Sequence, residues 1–196
     1  MRRGDALEIF LRDHGQVHSR AVAVQPFSRV DRILDSLSES ELRRSHSGFN
    51  PVAWIIWHMA RVEDNGLSTI VFQTRPVLEA GDWGRRLGVA GPADGFGMVK
   101  AEVAEVAAAV DIAALREYRD AVGRRTRALA AELWPERWTS VVTEEDRRAA
   151  GLAEGNGPEV GTPRDFMLGW WGIHHNFWHI GQCVAIASRL MAERDA

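Results

Sequence analysis

The chain has 196 residues, 45% of them apolar, and a formal charge of −3; that supplies one buried core and lacks the basic surplus of a nucleic-acid binder. A single cysteine, Cys183, excludes an internal disulfide framework. The most apolar run, PVAWIIWHMA at 51–60, is too short to span a bilayer, and MRRGDALEIF lacks the apolar stretch of a signal peptide, so a soluble cytoplasmic protein without membrane or nucleic-acid partners is expected.

The first segment carries Leu7, Phe10, Leu11, His14, Val17 and His18 at helical spacing. Phe27, Val30, Leu34 and Leu37 repeat it after Pro26, which opens a new helix or kinks a continuous one. A loop is expected to about Phe49. Asn50-Pro51 then reads as an N-cap and an N1 proline, opening a helix to Phe72 or Gln73. The Gly- and Pro-rich 74–98 reads as a long loop. An alanine-rich stretch at 101–110 is short-helix material, and Asp111 caps a longer helix to 133. Residues 136–161 form a second loop with a helical turn near 143–150. Thr162-Pro163-Arg164-Asp165 starts a last helix reaching about Glu193. With no convincing strand and no repeat, the expectation is one all-α domain over 1–196. It is an antiparallel four-helix bundle with two long loops and an N-terminal helical extension, 1–20.

HHNFWHIGQ, at 174–182, places three of the seven histidines in six positions. Leu168, Trp171, His175, His179, Gln182 and Ile186 fall on one apolar stripe. His175 and His179, at i and i+4, have Cβ atoms about 5–6 Å apart and can converge on one ion. His58, between Ile55 and Val62 on the second long helix, is the third ligand candidate. Three histidines leave coordination positions open, as a catalytic metal site requires. His14 and His18 share the i,i+4 spacing, but no third partner is evident, and they read as core-edge or surface residues. His174 points about 100° away from His175 and reads as rim. Asn176 stands where HExxH proteases carry their glutamate and cannot take a proton, which argues against a metalloprotease.

PVAWIIWHMARVED (51–64) and HHNFWHIGQ, separated by over one hundred residues, resemble the DinB/YfiT-like metalloenzymes. SLSESELRRS before the second long helix resembles their lead-in. The resemblance spans about residues 20 to 190. It implies a four-helix bundle whose metal ligands fall on His58, His175 and His179, with Gln182 in the family's HxxxHxxQ position.

Gln182 is expected to orient His179 or touch a ligand, and Trp171 to form a pocket wall. Asp64 and Arg61 are candidates for support behind the ligands, against a reading as exposed helix charges. Cys183 reads as a small buried residue. The resemblance implies one divalent ion, zinc or nickel first among those three histidines suit. It further implies a small-molecule substrate and a low-molecular-weight thiol cosubstrate, as in mycothiol-type S-transferases or isomerases, since a metal-bound thiol ionises. The alternatives are a metal-assisted hydrolase, or a non-catalytic metal-binding bundle that forms a homodimer.

Overall fold

A computed structural model describes residues 3–89, 94–152 and 157–194. Parts of the two expected loops, 90–93 and 153–156, lie outside the described residues. No helix is long and apolar enough to cross a membrane.

The first rod of the bundle is broken. α1 (Arg3–Gln16) is followed by α2 (Arg20–Ala23), which ends at Val24, in the left-handed region at φ 49°. α3 (Arg29–Ser36) restarts after Pro26, with Ser28 accepting from the Asp31 amide as N-cap. The expected loop to Phe49 contains a short helix, α4 (Glu39–Arg43).

α5 (Val52–Gly66) is the central rod. It is buried on nearly every face from Val52 to Asp64, as a helix enclosed by others must be. Pro51 occupies the N-cap itself, in extended backbone, one position earlier than expected. A π-helical turn, Leu67–Phe72, continues α5. The following loop holds two short helices, α6 (Val77–Ala80) and α7 (Trp83–Leu87).

α8 (Lys100–Ala109) leads to α9 (Ile112–Glu132), which Asp111 caps through the Ala114 amide. α10 (Glu144–Ala149) lies in the second loop. Its Asp146 accepts from Thr143, Gln73 and Arg164, tying that loop to two rods. The last rod has three parts: α11 (Arg164–Gly169), a π turn (Trp170–His174) and α12 (His175–Arg194).

α5 and the last rod run antiparallel. Gly66 packs on Trp171, Glu63 on Asn176, and His58 on His175 and His179. One core cluster gathers around Ile55, Met59, Leu115 and Ile186, and a second around Phe10, Leu67, Leu129 and Leu168. The leading segment packs into the bundle: Phe10 of α1 is buried in the second cluster, and Val17, just after α1, in the first.

Candidate metal centre

The central helix and the last rod bring His58, His175 and His179 together. Their ring centroids lie 5.0, 5.1 and 4.5 Å apart. Each offers one ligand atom within 4.8 Å of the others, a geometry that suits one metal ion. Nε2 of His175 and Nε2 of His58 are 3.2 Å apart.

The outer ring nitrogens define which atoms point inward. His58 Nδ1 faces the backbone carbonyl of Asp94. A carbonyl oxygen only accepts, so Nδ1 carries the proton and Nε2 presents a lone pair. His179 Nδ1 donates likewise to Gln182 Oε1 at 2.8 Å. Burial lowers the pKa of all three rings, His175 to about 3, where repulsion from His179 and His58 adds to burial. The set is therefore neutral at ordinary pH. Two converging lone pairs at 3.2 Å need a proton or a cation between them, and three neutral imidazoles, two with the outer nitrogen tied to an acceptor and the third, His175, with its Nδ1 buried and without one, fit a divalent ion.

The loop before α8 completes His58's support. Gly95 has φ +96°, and a Cβ there would lie 2.8 Å from His58 Nδ1 and 2.9 Å from Trp54. Trp54 stacks on His58 at 4.8 Å with an interplanar angle of 11°. Asp94 and Gly95 carried no sequence signal, because one acts through a carbonyl and the other through a missing side chain.

The histidines open into a cavity of about 580 Å³. Trp170, Trp171 and Trp178 line it with Asn65, Thr69 and Gln182. Asp64 and Arg61 are not at this cavity. Both are 2% exposed, which overturns their reading as exposed helix charges. Asp64 accepts from Tyr118 at 2.6 Å and from the Val77 and Leu78 amides at 2.6 and 2.9 Å, and Arg61 donates to Tyr118 at 2.9 Å. Their buried charge anchors α6 instead. Cys183 is 1% exposed, and burial pushes its thiol up to about 12.

A second cluster forms where none was expected. His14 and His18, read from sequence as core-edge or surface residues, are fully buried against Glu63. Their Nε2 atoms meet Glu63 Oε1 and Oε2, each at 2.9 Å. Thr126 donates to Oε1 at 2.8 Å and Asn176 to Oε2 at 2.9 Å. Four donors fill the carboxylate's lone-pair sites. Burial alone would raise the Glu63 carboxyl, but His18 and His14 outweigh it and hold it well below the usual range. Burial keeps His18 neutral, with a pKa of about 3. The outer Nδ1 atoms of His14 and His18 have no acceptor, as is also true of His175. The saturated carboxylate marks a hydrogen-bonded ionic core rather than a second ion site.

Comparison with known proteins matches this arrangement at the level of fold and family. No curated protein matches the chain. A crystal structure of a conserved protein from Enterococcus faecalis superposes with a TM-score of 0.63 over 95% of each chain, at 18% identity. The sequence profile of the DinB superfamily covers residues 25–183, a span holding all three converging histidines, and by that match the chain belongs to the DinB superfamily.

Proposed function

We propose that this chain is a metal-dependent enzyme that activates a low-molecular-weight thiol for transfer or isomerisation, in the manner of mycothiol-type S-transferases or isomerases. The carrying observation is three neutral imidazoles converging at the edge of a cavity whose described lining holds no thiol or amine. Among the described lining residues the ionisable groups are the three histidines and Asp94. The Asp94 side chain accepts the Phe96 amide at 3.0 Å, and Cys183 is sealed in the core. On this reading the nucleophile is the thiol that the ion binds.

His58, His175 and His179 would hold the ion, zinc or nickel, and a bound divalent ion supplies a Lewis acid that ionises a coordinated thiol or water near neutral pH. The chain's own part is positional. The Asp94 carbonyl and Gln182 fix two rings, and the tryptophans give the cavity an apolar wall.

The test is purified, metal-loaded protein assayed with candidate thiols and an electrophile. Thiol-dependent turnover lost in His58→Ala and His179→Ala supports the reading, and turnover that survives both substitutions ends it. Turnover without added thiol points to the hydrolase alternative.

A second reading, a homodimerising bundle, is favoured by one observation. Phe166, Trp170, Phe177, Val184 and Met191 are exposed along the last rod, an apolar run of the sort an isologous interface buries. Sedimentation of the wild type against Phe177→Asp tests it, a shared monomeric value counting against the dimer.

A further inference from the structure

The last rod contains one residue too many for a continuous α-helix. His175 N–H bonds to the Trp170 carbonyl, five residues back, and α-helix resumes at His175. Where a ladder returns from i→i−5 to i→i−4 bonding, one carbonyl is passed over by every backbone amide. Here that carbonyl belongs to Trp171.

Asn176 meets it. Its side-chain amide donates to the Trp171 carbonyl at 3.0 Å and lies 3.4 Å from that of Gly172. The same nitrogen donates to Glu63 Oε2 at 2.9 Å, and Arg119 donates to Asn176 Oδ1 at 3.2 Å. Acceptors on the nitrogen side and a guanidinium on the oxygen side allow one amide orientation. Asn176 is fully buried, so each of these bonds is made without competing water. Glu63 is fixed in turn by His14, His18 and Thr126. His14 and His18 precede residue 25, where the superfamily match begins.

One inserted residue rotates everything after it by about 100° relative to an unbroken helix. His175 and His179 follow the insertion, so the π turn sets the angle at which they face His58. We propose that Asn176 and Glu63 are positioning residues: they hold this turn open at the Trp171 carbonyl and thereby aim His175 and His179 at His58. The value of that aim to an ion rests on the metal reading above; the mechanical claim does not.

The experiment uses the full chain, wild type and Asn176→Leu, which keeps the side chain's bulk and removes its donors. Leu34→Ala, a substitution in the core remote from the turn, serves as a control of lowered stability. First, amide hydrogen exchange is measured on metal-free protein. We expect residues 170–176 in Asn176→Leu to exchange roughly tenfold or more faster relative to 184–190, a localised change the control does not share. Second, cobalt(II) is titrated and its visible absorption followed. We expect affinity to fall roughly ten- to a hundredfold with an altered band shape, while the control retains both. Unchanged local exchange in Asn176→Leu, or exchange raised evenly as in the control, overturns the proposal. If wild-type protein binds no cobalt, the metal reading fails and the exchange result still decides the positioning claim. Should Asn176→Leu not fold, Asn176→Ala carries the same comparison.

Discussion

Gly66 lies flat against the indole of Trp171: a Cβ on Gly66 would stand 2.6 Å from the ring. The contact joins the end of the central helix to the π turn of the last rod, on the wall of the cavity beside the histidines.

Gly66→Ala therefore forces Trp171 to move. Overpacking of this kind costs about 1–3 kcal/mol, and here the displaced ring also shifts the wall. We expect a lower Tm together with weaker retention of any cavity ligand. An unchanged Tm would mean that Trp171 has room to retreat.

Gly95→Ala acts on the other side of the centre. Its φ of +96° disfavours a side chain, and the added Cβ meets His58 Nδ1 and Trp54. Backbone strain of about 1–3 kcal/mol is the smaller consequence. The larger is loss of the Asp94 carbonyl from His58, which frees that ring to turn. We expect cobalt(II) affinity to drop about tenfold or more with little change in far-UV circular dichroism. Full affinity would show that His58 is oriented by Trp54 alone.

Much of this centre was legible because its ligands are side chains at fixed spacing. His58 sits among apolar neighbours, and His175 and His179 are one turn apart, so helical period alone put them inward. The π turn was not legible, since Leu168, Trp171 and His175 fit an ordinary helical stripe and an inserted residue leaves no mark on composition. Asn176 was weighed only as a poor base, because its role exists only once the Trp171 carbonyl is left bare. Glu63 and its partners His14 and His18 are 45 to 49 residues apart in sequence, and no local pattern links them. Arg61 and Asp64 resemble any charged helix end. Only the approach of Tyr118 and α6 makes them core residues.

Glu63→Ala should be among the most destabilising single substitutions in the chain. It strips the shared acceptor from His14, His18, Thr126 and Asn176, all buried, and removes the counter-charge of buried Arg119. Breaking a buried ionic group in this way costs about 3–5 kcal/mol. Urea unfolding should show that loss, and a midpoint near wild type would mean that water or rearrangement satisfies the orphaned donors.

The same cluster sets how stability depends on pH. Burial holds the folded-state pKa of His18 at about 3, against 6.5 for an ordinary imidazole. Between those values the unfolded chain binds a proton that the folded chain refuses, so stability falls as pH drops from about 6.5 towards 3 and is indifferent to His18 above that window. Glu63 pulls the same way at lower pH. Its folded pKa is depressed, so its contribution is complete above the ordinary carboxylate pKa and is lost on acidification below it. His58, His175 and His179, also depressed, add to the upper part of the slope in metal-free protein. His18→Gln retains a donor for Glu63 but cannot titrate. Its Tm between pH 6.5 and 4.5, measured with chelator present, should fall less steeply than that of the wild type, and the two should converge in slope above pH 7. Identical slopes across the acidic window would mean that His18 takes up its proton inside the folded protein, and that the core around Glu63 admits charge more readily than its burial implies.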